Sequence, residues 1–323
     1  DIIVNIAEGK MGFEIILAVV IIFIIKFSVL SYIAGLFMFN VTMLPKSPKN
    51  IFRKKDKDMT EQMKAFHESS KKWVDENTAS IWSLTTYDNL LLKARYIKGE
   101  NTDKWVILVH GYTAVGWHMA EFAKAYKKMG YNILIPDLRG HGESQGLYVT
   151  MGYYDSVDII EWIYEIIKDN IKAKIVLHGI SMGAATVMLV TGEDLTEHVK
   201  CVIEDCGYTC VWEIFRYNMR RMFKLPAFPI LYAANIISSA KIKMDFKEVS
   251  PIKAVKKSNT PTLFIHGDAD ELVPFYMLDK LYESAACEKE KLVIKGAAHG
   301  ESSMKEPDTY YEKVSGFIAK YLN

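Results

Sequence analysis

The hydropathy of the chain changes character twice. Phe13 to Phe39 is an almost unbroken apolar run, charged only at Glu14 on its edge and Lys26 inside it. About 20 apolar residues span a bilayer core. A central lysine costs roughly 2.5–3.5 kcal/mol there, and many Leu, Ile, Val and Phe residues at roughly −0.3 to −0.6 kcal/mol each outweigh it. Lys26 can also snorkel to one interface. The pattern predicts one transmembrane helix over residues 12–39, after a short tail at 1–11. A cleaved signal peptide fits less well. Asp1, Glu8 and Lys10 give no basic leader, and the apolar run continues past a plausible cleavage point.

Residues 40–76 read as a charged linker, with Pro45 and Pro48 near its start and a surface helix over Met59–Val74. A linker of this kind gives the following domain considerable reach. Lys46, Lys49, Arg53, Lys54, Lys55 and Lys57 follow the span, whereas Lys10 stands almost alone before it. The positive-inside rule then puts the C-terminal part in the cytoplasm of a single-pass cell-membrane protein.

From residue 77 to 323 the texture is one of short apolar runs alternating with helical periodicity. Ser80–Thr86 and Leu90–Ile97 predict a hairpin around Asp88–Asn89. Trp105–His110, Tyr131–Pro136, Lys174–His178, Val199–Glu204, Thr262–His266 and Lys291–Ile294 read as buried strands. Helical segments such as His118–Met129 and Ser156–Ile167 separate them. Strand–helix alternation predicts an α/β domain, its mostly parallel sheet covered by helices on both faces.

Composition narrows the classes. Hydrophobic residues make up 50% and charged residues 24% of 323, which excludes a mostly disordered chain. A formal net charge of +1 lacks the basic excess of a nucleic-acid binder. Four cysteines are too few for a disulfide scaffold. Cys201, Cys206 and Cys210 lack the paired spacing and histidine neighbours of a zinc site and read as buried thiols.

Two stretches fit G-x-S-x-G, a pattern that means little without its context. Gly179-Ile180-Ser181-Met182-Gly183 follows an apolar strand and precedes a small-residue helix. That is the strand-to-helix turn that lifts a serine hydroxyl into the open. Gly142-Glu143-Ser144-Gln145-Gly146 has neither neighbour and reads as a loop coincidence. A serine needs a base to take its proton. On such sheets the acid and then the histidine follow the serine along the chain. Of His198, His266 and His299, only His299 lies in a flexible loop after the last strand. For the acid, Asp270 is preferred, with Asp205 the alternative; Asp268 reads as serving the turn and Glu271 as solvated. The oxyanion donors expected are the backbone N–H groups of Met182 and, after the Trp105–His110 strand, Tyr112. The side chain of His110 reads as a core histidine bonded to backbone.

These motifs resemble the α/β-hydrolase superfamily. The likeness is nearest to its bacterial, singly membrane-anchored branch, similar to serine-aminopeptidase-like (S33-type) hydrolases. It rests on His110-Gly111, Asp137 to Ser144, the Ser181 turn, the Asp270 loop with Val273-Pro274, and His299-Gly300, in that order. The resemblance implies that Asp137 to Ser144, with His141, is structural, and that neither metal nor organic cofactor is needed. It leaves the substrate open, since one fold hosts many chemistries.

A small helical cap is expected at about 208–250. Trp212, Phe215, Met219 and Met222 recur there at helical spacing as candidate substrate contacts. Arg216, Arg220, Arg221, Lys224, Lys241 and Lys243 lie beside them. A lid facing an acyl chain or an anionic membrane suits this mixture. The expected activity is hydrolysis of esters or thioesters with an apolar, lipid-like acyl group. A peptidase and a catalytically silent binding protein are the alternatives.

Overall fold

The computed structural model describes residues 2–44, 60–101 and 103–322. Pro45, Pro48, Met59 and the basic residues from Lys46 to Lys57, used above for linker and orientation, lie outside them.

Helix α1 runs Ile2–Met43, so the tail expected at 1–11 belongs, from Ile2 on, to the helix, which also passes Phe39. Gly12–Met43 is long and apolar enough to cross a membrane. Large apolar residues are exposed from Phe13 to Leu30. At ~1.5 Å per residue that stretch covers roughly 27 Å, close to the ~30 Å of a bilayer core. Beyond it the helix enters the protein by degrees: Ile33 and Phe37 are still exposed, and Phe39, Val41 and Met43 are buried. Helix α2 (Glu61–Asn77) starts at Thr60, whose hydroxyl accepts the Met63 N–H. It buries Ser70 and Val74.

Among the described residues eight strands form one sheet, ordered β1-β2-β4-β3-β5-β6-β7-β8. They are β1 (Ser80–Thr85), β2 (Leu91–Ile97), β3 (Lys104–Val109), β4 (Asn132–Pro136), β5 (Lys174–Ile180), β6 (Val199–Asp205), β7 (Thr262–Gly267) and β8 (Lys289–Ile294). The β1–β2 hairpin turns through Asn89 at φ 63°. β2 is antiparallel to β4, and β3 to β8 run parallel. The remaining helices are α3 (Ala120–Lys128), α4 (Tyr153–Asp169), α5 (Met182–Val190), α6 (Val211–Phe223), α7 (Ile230–Ile242), α8 (Pro251–Val255), α9 (Tyr276–Ser284), α10 (Ser302–Lys305) and α11 (Pro307–Ala319). This is the α/β-hydrolase fold, and α6 and α7 fall within the segment expected as a cap.

The period of two sends neighbouring side chains to opposite faces. Trp105, Ile107 and Ile175 join one core, with Ile159 of α4, Met182 of α5 and Phe215 of α6. Val106, Leu108 and Val176 join the other, with Tyr126 of α3 and Val314 of α11. Phe39 and Met43 of α1 belong to the first core. The long linker reach inferred from sequence therefore does not describe the molecule, because the end of the apolar helix is part of the domain. Gly35 makes the approach possible. A Cβ there would stand 2.5 Å from Ala233 Cβ and 2.8 Å from the Ala234 nitrogen of α7. The last carbonyls of a helix lack intrahelical donors, and here the domain supplies them. The Tyr112 hydroxyl donates to Thr42 O at 2.6 Å, and Val149 N–H donates to Met43 O at 2.8 Å.

Candidate active site

Ser181 stands between β5 and α5 at φ 57°, ψ −115°. A non-glycine residue in the left-handed half of the map is strained, and surrounding structure must hold it there. Two glycines allow that packing. A Cβ on Gly179 would run into Gly183, and one on Gly183 into the carbonyl of Val109. Ser181 N–H donates to Asp205 O at 2.8 Å, which fixes the turn to β6.

The loop after β8 carries His299 back over this turn. His299 Nε2 lies 2.8 Å from Ser181 Oγ, and its Nδ1 lies 2.6 Å from Asp270 Oδ2. Asp270 is buried and firmly held. Its Oδ1 accepts N–H from Leu272 at 2.8 Å and from Val273 at 2.9 Å. Burial alone pushes its carboxyl up, but the hydrogen bonds from His266 and His299 and the Val273 N–H overcome that and hold it well below the usual carboxylate range. The structure thus brings Ser181, His299 and Asp270 into one chain of contacts.

Asp205, the alternative acid, faces elsewhere. It accepts from Tyr310 Oη at 2.9 Å and from Ser302 Oγ at 3.3 Å. Burial lifts its carboxyl to about 6. Asp268 Oδ1 takes the Gly296 N–H at 2.5 Å, tying its turn to the loop that carries His299. Glu271 is exposed, as expected, but pairs with Arg221 at 2.9 Å. Ser144 is buried, accepting from Lys93 N–H at 2.9 Å and donating to Asp137 O at 2.5 Å, so the second motif match holds a loop together. His110 is fully buried, with Nδ1 2.9 Å from Gly111 O and Nε2 accepting the Leu138 N–H at 3.0 Å. His141 is buried behind it.

Gly111 lies against the serine: a Cβ there would stand 3.2 Å from Ser181 Cβ. Tyr112, the next residue, and Met182, the first residue of α5, line the same cavity as Ser181. Cys206 Sγ lies with ligand atoms of Asp270 and His299 inside a 4.8 Å cluster. Burial pushes its thiol well above the ordinary range. A thiol held protonated is a poor metal ligand, and the other two groups are already bonded to each other.

Two features escaped the sequence reading. His266 Nε2 lies 2.9 Å from Val273 O and 3.3 Å from Asp270 Oδ2, backing the carboxylate from inside the sheet. The signal available was its place at the end of β7, four residues before Asp270. The second is the cavity, of about 640 Å³, that opens beside Ser181. Phe215 and Met219 line it, as expected, together with Ile214 and Phe223. Trp212 and Met222 do not. Trp212 turns to Tyr232 at 4.9 Å, under the Lys247 ammonium, and Met222 is exposed. The helix buries a face of three to four residues per two turns, and these two fall outside it.

A family model described as serine aminopeptidase, S33, matches residues 100–220. The Bacillus subtilis (strain 168) protein YqkD is 29% identical over 229 residues, covering 70% of this chain and 75% of that one. A thermostable monoacylglycerol lipase of Bacillus sp. (strain H-257) is 24% identical over 69% of this chain and 93% of its own length. Among solved structures, an esterase of Pyrococcus furiosus superposes with a TM-score of 0.62 at 25% identity, covering 76% of this chain and 91% of that one. Strand order, the strained serine after β5 and these likenesses together place the chain in the α/β-hydrolase superfamily.

Proposed function

We propose that the protein is a membrane-anchored serine hydrolase of carboxylic esters or thioesters with an apolar acyl group. The carrying observation is the contact chain Ser181 Oγ–His299 Nε2 at 2.8 Å and His299 Nδ1–Asp270 Oδ2 at 2.6 Å. Ser181 Oγ attacks the acyl carbon while its proton passes to His299 Nε2. Asp270 keeps the ring in the tautomer whose Nε2 is free to accept, and stabilises the imidazolium formed. The backbone N–H groups of Tyr112 and Met182 receive the developing oxyanion, the latter at a helix N-terminus where negative charge is favoured. The bond from acyl carbon to leaving oxygen or sulfur then breaks as His299 returns the proton. Water, activated by the same ring, releases the acid from Ser181.

The cavity favours an acyl group over a peptide. Among the described residues none of its lining side chains is a carboxylate, which an aminopeptidase needs for the substrate ammonium. The relative named as a monoacylglycerol lipase supports the same preference. Anchoring rests on α1, and the burial of its last turns in the domain speaks against removal as a signal peptide. The basic residues after the span put the catalytic domain on the cytoplasmic side.

The test is a screen of p-nitrophenyl esters of increasing chain length beside aminoacyl-anilides, on the full chain in detergent. Ester turnover that rises with chain length, with anilides inert, is expected. Anilide hydrolysis exceeding ester hydrolysis overturns the assignment.

A further inference from the structure

The cavity beside Ser181 has one wall that the cap does not provide. Leu30, Ile33, Ala34, Phe37, Met38 and Val41 of α1 line it, and Thr42 completes the row. Their spacing of three and four residues is that of a single helix face. The apolar helix therefore turns one stripe into the site for more than three turns, from Leu30 to beside the serine. From Leu30 to Thr42, at ~1.5 Å per residue, the stripe is roughly 18 Å long. That is a little more than the depth of one leaflet, roughly half of the ~30 Å hydrocarbon core.

Exposure falls along the stripe. Leu30 is 66% exposed, Phe37 58% and Val41 3%. The wall is open at the end continuous with the exposed apolar band and closed at the end that meets Ser181. Two exposed apolar side chains at the end of α6 and just after it, Phe223 and Leu225, also line the cavity. The Phe228 ring lies 6.2 Å from that of Phe27 on α1, so the α6–α7 loop touches the helix where the band ends. With the band in the bilayer, the mouth sits at the membrane surface and the serine about one acyl-chain length above it.

We propose that α1 is a substrate-binding element as well as an anchor. The occupant of its stripe is the acyl chain of a lipid ester drawn from the bilayer, head first, until its ester reaches Ser181 while the tail trails toward the membrane. This rests on the hydrolase reading above and adds the substrate class and its route. A lipid in a leaflet already has its head outward and its tail inward, so no inversion is needed. The apolar cavity keeps the tail out of water throughout, which avoids the cost of exposing each methylene. An aqueous substrate would gain nothing from a wall built on a membrane helix.

The experiment reads the ratio of kcat/KM for a palmitoyl against a butyryl p-nitrophenyl ester, with the full chain in lipid nanodiscs. Ala34→Trp fills the middle of the stripe and is expected to lower that ratio about tenfold. Phe37→Ala widens the groove and is expected to move the preferred acyl length upward. Ile25→Trp, in the exposed band outside the cavity, is expected to leave both rates alone. An unmoved ratio in Ala34→Trp together with an unmoved optimum in Phe37→Ala overturns the proposal. A fluorophosphonate label on the parent chain separates the two readings. A labelled parent with an unmoved ratio removes only the role of α1, and an unlabelled parent removes the hydrolase reading itself.

Discussion

Asparagine at position 270 would keep the side-chain shape and remove one charge. The two backbone N–H groups of Leu272 and Val273 converge on Oδ1 at 2.8 and 2.9 Å. Only an amide oxygen can accept both, so in Asp270→Asn the new NH2 is forced to the other position, facing His299 Nδ1 from 2.6 Å. Nδ1 must then accept, the ring proton moves to Nε2, and Nε2 can no longer take the proton of Ser181 Oγ 2.8 Å away. The wrong tautomer costs a serine hydrolase about 10⁴ in kcat, or about 5 kcal/mol at ~1.36 kcal/mol per decade. The assay is initial-rate hydrolysis of p-nitrophenyl butyrate, with a thermal melt to show that the variant is folded. Asp205→Asn and Asp268→Asn are the comparators, since their carboxylates bond Tyr310 and Gly296 and not the ring. Both are expected to stay within about tenfold of the parent, a span of ~1.4 kcal/mol. Near-normal turnover in Asp270→Asn, or an equal loss in Asp205→Asn, refutes the assignment of the acid.

Gly35→Leu forces a side chain into the backbone of α7 and is expected to destabilise by about 1–3 kcal/mol, the usual cost of overpacking. A thermal melt of the full chain in detergent checks it, and an unchanged midpoint would deny the α1–α7 contact. Glu204 supplies a pH test. Burial lifts its carboxyl to about 8, against about 4.3 unfolded. Between those values the folded state holds a proton that the unfolded state has released, so stability falls as pH rises through the window and levels off above it. Glu204→Gln, which keeps an acceptor for the Gly207 N–H, is expected to flatten that slope in denaturant titrations from pH 4.5 to 8. A variant as steep as the parent contradicts it.

Much of the site was legible because its parts are local. The turn around Ser181 needs small residues on both sides of a strand–helix junction, and only one of two motif matches has them. His299 and Asp270 follow from chain order and loop position. What stayed hidden depends on contacts between distant segments. His266 backs Asp270 through the pleat of β7, which a linear reading sees only as a strand end. Trp212 and Met222 share an apolar stripe with Phe215 and Met219, but hydropathy cannot tell which edge of that stripe meets the cavity and which meets Tyr232 or solvent. Hydropathy also picks out α1, which is long and apolar enough to cross a membrane. It cannot show that the last turns leave the apolar band for the domain, because a bilayer and a protein core select the same residues. Ala34-Gly35, small residues late in a run of large ones, was the one hint of a close helix crossing.

The central claim is a nucleophilic serine at position 181, and intact-protein mass spectrometry after fluorophosphonate treatment tests it most directly. The parent chain and Ser144→Ala are expected to gain one adduct each, mapping to the peptide that contains Ser181, while folded Ser181→Ala gains none. An adduct of equal extent on Ser181→Ala, or a folded parent that stays unmodified, would contradict the account.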